Sequence, residues 1–286
     1  TIGLRDKKPL GIHVPFNYKA AITRSTVTGI HFVHAAHHIL AERGIHVPVR
    51  GVRPEVYLSD EEKAWRPCPE PYWVIVCGGK TDFTVKWWHP GHAQKVVDHF
   101  LGEMKFVQVG ETNKDPGAYP QHVHFPLNNV VNMIGKTTIR QLISTIYNSE
   151  GVICPITFPM HLAAAVPRRN ALDRFKPCIV TAGGREPVSW EAYPGHQYLH
   201  SIGELPCCYT GPCWARRAQP ISDQRAGKSH NCKMPIQVHD NLRLAKCMVD
   251  ISAEMVIDLV HRYNEYRNPL TVLSPESPTL EYLEVK

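Results

Sequence analysis

Nine cysteines are spread over the 286 residues, and five of them, Cys207, Cys208, Cys213, Cys232 and Cys247, fall in the last third. Thiolates gathered from loops form closed tetrahedral sites that suit zinc or iron. The spacings are looser than paired Cys-x-x-Cys knuckles, so a redox or disulfide role and free thiols stand beside the metal reading. Cys77, Cys154 and Cys178 lie in apolar, strand-like surroundings, which fits small core residues. A second cluster of chemistry is the stretch 151–165, GVICPITFPMHLAAA, with His161 in the first turn of a helix that opens near Pro159. A helix start attracts anions, and in α/β proteins it is a usual ligand site. The bland reading of His161 is a satisfied core histidine. A third cluster, Gly78-Gly79-Lys80-Thr81, follows an apolar run but lacks the spacing of a P-loop. His31, His34, His37 and His38 have helical spacing, yet no cysteine or carboxylate accompanies them, so they read as surface or packing residues.

These residues need elements to hold them. The segment 1–72 predicts a strand over 10–14, a long helix over 28–43 ending at Gly44, and a Pro-rich linker. From Tyr72 onward, apolar runs alternate with helical patterns. Residues 73–77 form a near-continuous apolar run of the kind buried on both faces of a parallel sheet. A helix over 90–101, a strand over 106–109, a short strand near 130–134 and a helix over 139–149 capped by Thr137 or Thr138 follow. Strands at 152–154, 178–182 and 198–202 complete a doubly wound parallel sheet. The final helix is expected over 252–266, with an extended tail beyond it.

The order strand-GGKTDFTVKWW, helix, FVQVGE, IGKTTIRQLISTIYNSEGVICPITFPMHLAAA and PCIVTAGGREPVSWEAYP resembles the nucleotide-sugar domain of glycosyltransferase family 9, the ADP-heptose heptosyltransferases. The likeness covers residues 73–205. It implies an α/β fold that is GT-B-like, with two Rossmann-like domains facing across a cleft, and inverting, metal-independent transfer from a nucleotide-diphospho-sugar. On the family pattern, Lys86 stands near the donor diphosphate and Thr81 is on the same loop. Thr157, Met160 and His161 lie at the donor-side helix start, and Gly183, Gly184, Arg185 and Glu186 border the nucleotide. Lysine and helix N–H groups are what a departing diphosphate needs. An ordinary surface lysine and a loop ion pair between Arg185 and Glu186 are the plain alternatives. The last cysteines also resemble the iron finger of bacterial autotransporter heptosyltransferases, which implies Cys208, Cys213, Cys232 and Cys247 as ligands of zinc or iron, with Cys207 as substitute.

Two departures from the family pattern stand out. Its Asp-Ser/Thr-Gly before Pro-Met-His reads Ile156-Thr157-Phe158 here, which leaves the donor sugar and base open. Its N-terminal Gly-Asp loop, the source of the catalytic base, has no counterpart in residues 1–72. Either the start of the acceptor domain is absent or on a second chain, or the base comes from elsewhere, with Asp82 a weak substitute. The expected organisation is a partial N-terminal α/β segment (1–72), a nucleotide-sugar domain (73–205), a Cys-rich metal-stapled insert (206–250), and a C-terminal helix and tail (251–286). The insert shows little apolar periodicity, so a metal is expected to order it.

A net charge of +6 suits phosphate-bearing ligands, and 43% hydrophobic with 20% charged residues describes a globular protein. No apolar run reaches membrane-spanning length and no leader is apparent, so a cytoplasmic protein is expected. The acceptor is a glycan, a protein side chain or modified DNA. A different class, a non-enzymatic metal-finger protein gripping nucleic acid through Arg216, Arg217, Arg225 and Lys228, is the competing expectation.

Overall fold

A computed structural model describes residues 18–49, 51–112, 120–167, 169, 175–209, 213, 218–220 and 230–267. The chain divides into two compact units, residues 1–52 with 189–191, and residues 53–188 with 192–286. In the first unit, α2 (Phe32–Ala41) stands within the helix expected over 28–43 but starts later, and α1 (Tyr18–Thr28) precedes it where no helix was expected. The break falls at Gly29, whose φ of 67° ends α1, and at His31, whose Nδ1 accepts the Val33 N–H and caps α2. His31 is thus a cap residue, and Ala21, Ala35 and Ile39 form the small core. The strand expected over 10–14 and the tail beyond 267 lie outside the described residues.

In the second unit, α3 (Asp60–Ala64) precedes β1 (Tyr72–Ile75), β2 (Gly78–Lys80), α4 (Pro90–His99), β3 (Lys105–Gln108), β4 (His122–His124) and β5 (Val131–Asn132). There follow α5 (Ile139–Asn148), β6 (Gly151–Pro155), α6 (Phe158–Ala165), β7 (Cys178–Gly183) and β8 (His196–His200), with α7 (Val188–Glu191), most of which belongs to the first unit, between β7 and β8 in the chain. Six of these strands form one sheet in the order β5-β3-β1-β6-β7-β8, every neighbouring pair parallel. Counted along the chain that is 3-2-1-4-5-6, the dinucleotide-fold order, whose direction reverses between β1 and β6.

Alternation along the strands covers both faces. Trp73 and Ile75 point to the face where Ala93, Val96, Val97 and Phe100 of α4 share a core with Val256 and Val260. Tyr72 points the other way, where its hydroxyl donates to the Thr145 carbonyl in α5 at 2.8 Å. Helix α5 begins at a capping box in which Thr138 and Gln141 satisfy each other's backbone N–H groups. Lys176 donates to the Tyr147 and Ser149 carbonyls at the other end, neutralising the helix C-terminus. Ala163 and Ala164 are buried, which allows α6 its close approach to the sheet.

Beyond the sheet lie β9 (Ala218–Gln219), β10 (His230–Asn231), β11 (Pro235–His239), β12 (Leu242–Ala245), α8 (Lys246–Val249) and α9 (Ala253–Arg267). Here the structure corrects an expectation. β11 and β12 form an antiparallel hairpin, and Leu242 and Leu244 bury against Trp87. This part of the insert has the two-residue periodicity of a strand, where little apolar periodicity was expected, and packs its leucines on Trp87. Among the described residues no helix is long and apolar enough to cross a membrane.

Candidate functional site

A sheet of this order opens a crevice outside the carboxyl ends of its strands, where the order reverses. β1 runs out into Cys77 and Gly78, and β6 into Ile156 and Thr157. Gly78 has a φ of 119°, and a Cβ there would lie 2.1 Å from the Val123 carbonyl oxygen. The backbone that approaches this glycine is thus the chain's own β4, paired with β2. The hairpin leads into a 3-10 segment, Thr81–Lys86, that delivers Lys86. Thr81 is the hinge of that delivery: its N–H donates to the Gln121 carbonyl at 2.8 Å, and its hydroxyl accepts the Gln121 N–H at 3.1 Å. Asp82 is the next residue of the segment.

Lys86 crosses the mouth of the crevice. Its ammonium donates to the carbonyl of Ile156 at 3.1 Å and pairs with Glu186 Oε1 at 2.8 Å. Arg185 pairs with the same carboxylate oxygen. The Phe83 ring lies within reach of both cations, 5.3 Å from Lys86 Nζ and 5.2 Å from the Arg185 guanidinium carbon. Arg185 and Glu186 are buried, while the Lys86 side chain keeps 27% of its surface exposed. The plain alternatives, a solvated lysine and a separate loop ion pair, are replaced by one three-membered ionic cluster.

His161 stands beside this cluster. Its Nδ1 lies 2.8 Å from the hydroxyl of the buried Tyr193. Burial first, then the charge of Lys86, holds its pKa below the usual imidazole value, with Glu186 acting in the opposite direction. The imidazole is therefore neutral at pH 7. Thr157 is the N-cap residue of α6 in extended conformation, and its side chain makes no capping bond. Pro159 brings no N–H, and the Met160 N–H is already bonded to the Thr157 carbonyl at 3.0 Å. The positive end of α6 therefore rests on few free N–H groups. Met160 is fully buried and its sulfur takes the Tyr198 hydroxyl at 2.9 Å, so it forms the floor beneath His161.

Gly183 and Gly184 face away from the ionic cluster. Gly183 has a φ of 62°, and a Cβ there would sit 2.5 Å from the Met248 sulfur; at Gly184 it would meet Cys247 at 3.3 Å. The glycines admit the α8 segment that carries Cys247. The Cys213 thiol donates to the Gly184 carbonyl at 3.7 Å. Cys207, Cys208, Cys213, Cys232 and Cys247 gather near this loop closely enough for their charges to act on one another. Burial pushes the thiols of Cys213 up to about 11 and Cys247 up to about 12. The donor chemistry fits zinc or iron. Among the described residues, however, no three His, Cys, Asp or Glu side chains are grouped tightly enough to hold an ion. Arg216, Arg217, Arg225 and Lys228 lie outside the described residues.

The structure adds residues that the sequence reading missed. Glu111 follows β3, the second strand of the fold, where a nucleotide-fold acid meets a ribose; it lies 3.5 Å from His122 Nε2. An acid directly past a second strand was a readable signal. Phe83, Tyr193 and Tyr198 had none, because their contacts join distant segments.

No curated protein matches this chain. Solved structures similar in part include three glycosyltransferases. The Escherichia coli ADP-heptose lipopolysaccharide heptosyltransferase II has 13% identity and a TM-score of 0.46, with 76% of this chain and 55% of that one covered. A family 9 glycosyl transferase from Veillonella parvula has 13% identity and a TM-score of 0.49, with 87% and 62% covered. TibC, a dodecameric iron-containing heptosyltransferase solved with ADP-D-beta-D-heptose, has 16% identity and a TM-score of 0.48, with 82% and 53% covered. The chain thus spans between 53% and 62% of the length of these proteins. The family model glycosyltransferase family 9 (heptosyltransferase) matches residues 2–171, more than half of the chain. The chain belongs to glycosyltransferase family 9.

Proposed function

We propose that the chain carries the donor half of an inverting glycosyltransferase that uses a nucleotide-diphospho-sugar. The observation that supports this best is the cluster of Lys86, Arg185 and Glu186 beside His161, set where β1, β6 and β7 end at the reversal of strand order. Glu111 at the end of β3 suits a ribose hydroxyl. Lys86 and Arg185 suit the diphosphate, and each is already oriented by the one carboxylate they share. In the reaction, an acceptor hydroxyl oxygen bonds to the anomeric carbon as the bond from that carbon to the diphosphate oxygen breaks. The electron pair leaves on the diphosphate, where the two cations and neutral His161 take up the charge. The hydroxyl proton goes to a base that the described residues do not supply at this site.

The donor sugar is a heptose or hexose, and the acceptor is a hydroxyl of a glycan, a protein or modified DNA. Cys208, Cys213, Cys232 and Cys247, with Cys207 in reserve, are the residues that would hold zinc or iron. Such an ion would fix the Gly183–Glu186 turn from behind and takes no part in the transfer. The domain division expected at residues 73, 206 and 251 goes with this reading, as does a cytoplasmic setting, where nucleotide sugars are made.

The test is a thermal-shift panel of ADP, UDP, GDP, CDP and their sugars on metal-analysed protein. A ligand at a hundred times its dissociation constant stabilises a fold by about 2.7 kcal/mol. One nucleotide that raises the melting temperature, with its sugar raising it further, supports the reading. Absence of any shift on folded protein would remove it.

A further inference from the structure

On the far side of the sheet from α5, two histidines from separate helices bring their ring nitrogens together. His99 is the last residue of α4 and His261 lies inside α9; their Nε2 atoms are 3.1 Å apart. Both side chains are exposed. Packing fixes the two helices against each other, since Ala93, Val96, Val97 and Phe100 of the α4 region share one buried cluster with Val256, Val260 and Tyr263 of α9. A second tether sits at the other end of the contact. The Trp88 Nε1–H and the His92 ring both reach the Ile251 carbonyl, at 2.8 and 3.0 Å. The Phe100 ring braces both histidines, its centroid 4.7 Å from that of His99 and 5.0 Å from that of His261.

Two imidazole nitrogens at this spacing share either one proton or one metal ion. With metal–nitrogen bonds of about 2.0–2.1 Å, two ligands stand about 2.9 Å apart at a right angle and about 3.4 Å apart at the tetrahedral angle. The observed spacing falls between these limits, but with ring centroids 5.4 Å apart the two nitrogens face each other head-on, so each exposed ring must turn by about 40° to aim its lone pair at a shared ion, while the helices stay in place. We infer that His99 and His261 form a chelate for a divalent transition metal of the zinc, nickel or copper class, with water in the remaining positions. Imidazole suits these ions. Asp258 does not complete the site, because it is paired with Arg262 at 2.8 Å. Without metal, one Nε2–H donates to the other ring's lone pair. On binding, the donating ring carries its proton on Nδ1 instead, both Nε2 lone pairs bond to the ion, and two waters leave it. The ion cross-links α9 to α4, and acid weakens it because protons take the same lone pairs.

The site is distinct from the thiols, and its test separates the two. Nickel is titrated into reduced protein and into His99→Asn and His261→Gln, followed by calorimetry, by melting temperature and by thiolate-to-metal charge-transfer absorption. The expected result is a binding event in the unaltered protein that raises the melting temperature without charge-transfer absorption. Each single substitution should weaken that event at least tenfold and abolish its stabilisation, with the metal-free melting temperature unchanged. Equal binding by both variants overturns the site. So does loss in only one of them, which would mean a single histidine, or an event that carries thiolate absorption.

Discussion

Replacing Lys86 with alanine separates a phosphate-binding lysine from a structural one. In the unliganded protein its ammonium touches Glu186 and the Ile156 carbonyl, with 27% of the side chain exposed. Removing it does not strand the carboxylate, because Arg185 remains on Glu186. The Ile156 carbonyl loses one donor at a site open to water. The cost to folding should therefore stay near 1–2 kcal/mol, well under the roughly 3–5 kcal/mol of a broken buried pair. A charged hydrogen bond to diphosphate contributes about 1.5–3 kcal/mol, which is about 10- to 150-fold in affinity. Calorimetry with the nucleoside diphosphate that the thermal panel selects measures this loss directly. Lys86→Met, which keeps most of the stem, should lose as much. Binding by either variant within twofold of the unaltered protein would refute the assignment. So would a loss that disappears once unfolded protein is subtracted.

His196 gives a pH signature. Burial first, then the charges of Arg53 and His161, pushes its pKa down to about 3, whereas the unfolded chain titrates near 6.5. Between those values the unfolded state binds more protons, so stability falls with falling pH, by up to about 1.4 kcal/mol per unit. Urea unfolding at pH 6.5 and pH 5 should show about 1.6 kcal/mol less decline in His196→Gln, and parallel curves would contradict the cause. Gly183→Ala meets both a left-handed φ and the Met248 sulfur. About 2–4 kcal/mol of destabilisation is expected, read from the urea midpoint. Leu244→Ala empties a fully buried position beside Trp87 and should cost about 2–5 kcal/mol with or without a chelator. A cost seen only in metal-loaded protein would return the ordering of the hairpin to the metal.

Sequence pattern carried the central sheet because its signals are local. Four buried residues in succession at Tyr72–Ile75, the Thr138 cap and Pro90 at a helix start each act within a few residues. The histidine spacing begins at His31, past Gly29, so it marked α2 and carried no signal for α1. Leu242 and Leu244 alternate over a single strand of four residues, too short to rise above a polar background. At the site, Lys86, His161, Arg185 and Glu186 were named from family likeness, and their meeting was not legible. Lys86 and Glu186 are a hundred positions apart and are joined only by the parallel order of β1, β6 and β7. Met160 shows the converse: a motif residue whose side chain serves packing.

The turn from Gly183 to Glu186 has two faces, and this links the two clusters of chemistry. Its glycines lie against Cys247 and Met248 and receive the Cys213 thiol, with no room for a Cβ at Gly183 and a tight fit for one at Gly184. Of its next two side chains, Glu186 pairs with Lys86 and Arg185 pairs with Glu186. A movement of the thiol segment is therefore carried through two residues of tightly packed backbone to both cations. Close-packed interiors transmit such shifts instead of absorbing them. Alkylating or oxidising Cys213 and Cys247, whose raised thiol pKa values slow both reactions, should then weaken nucleotide binding although neither sulfur lies among the charged side chains. The size of that loss relative to Lys86→Ala measures how much of the site's preorganisation comes from behind the turn.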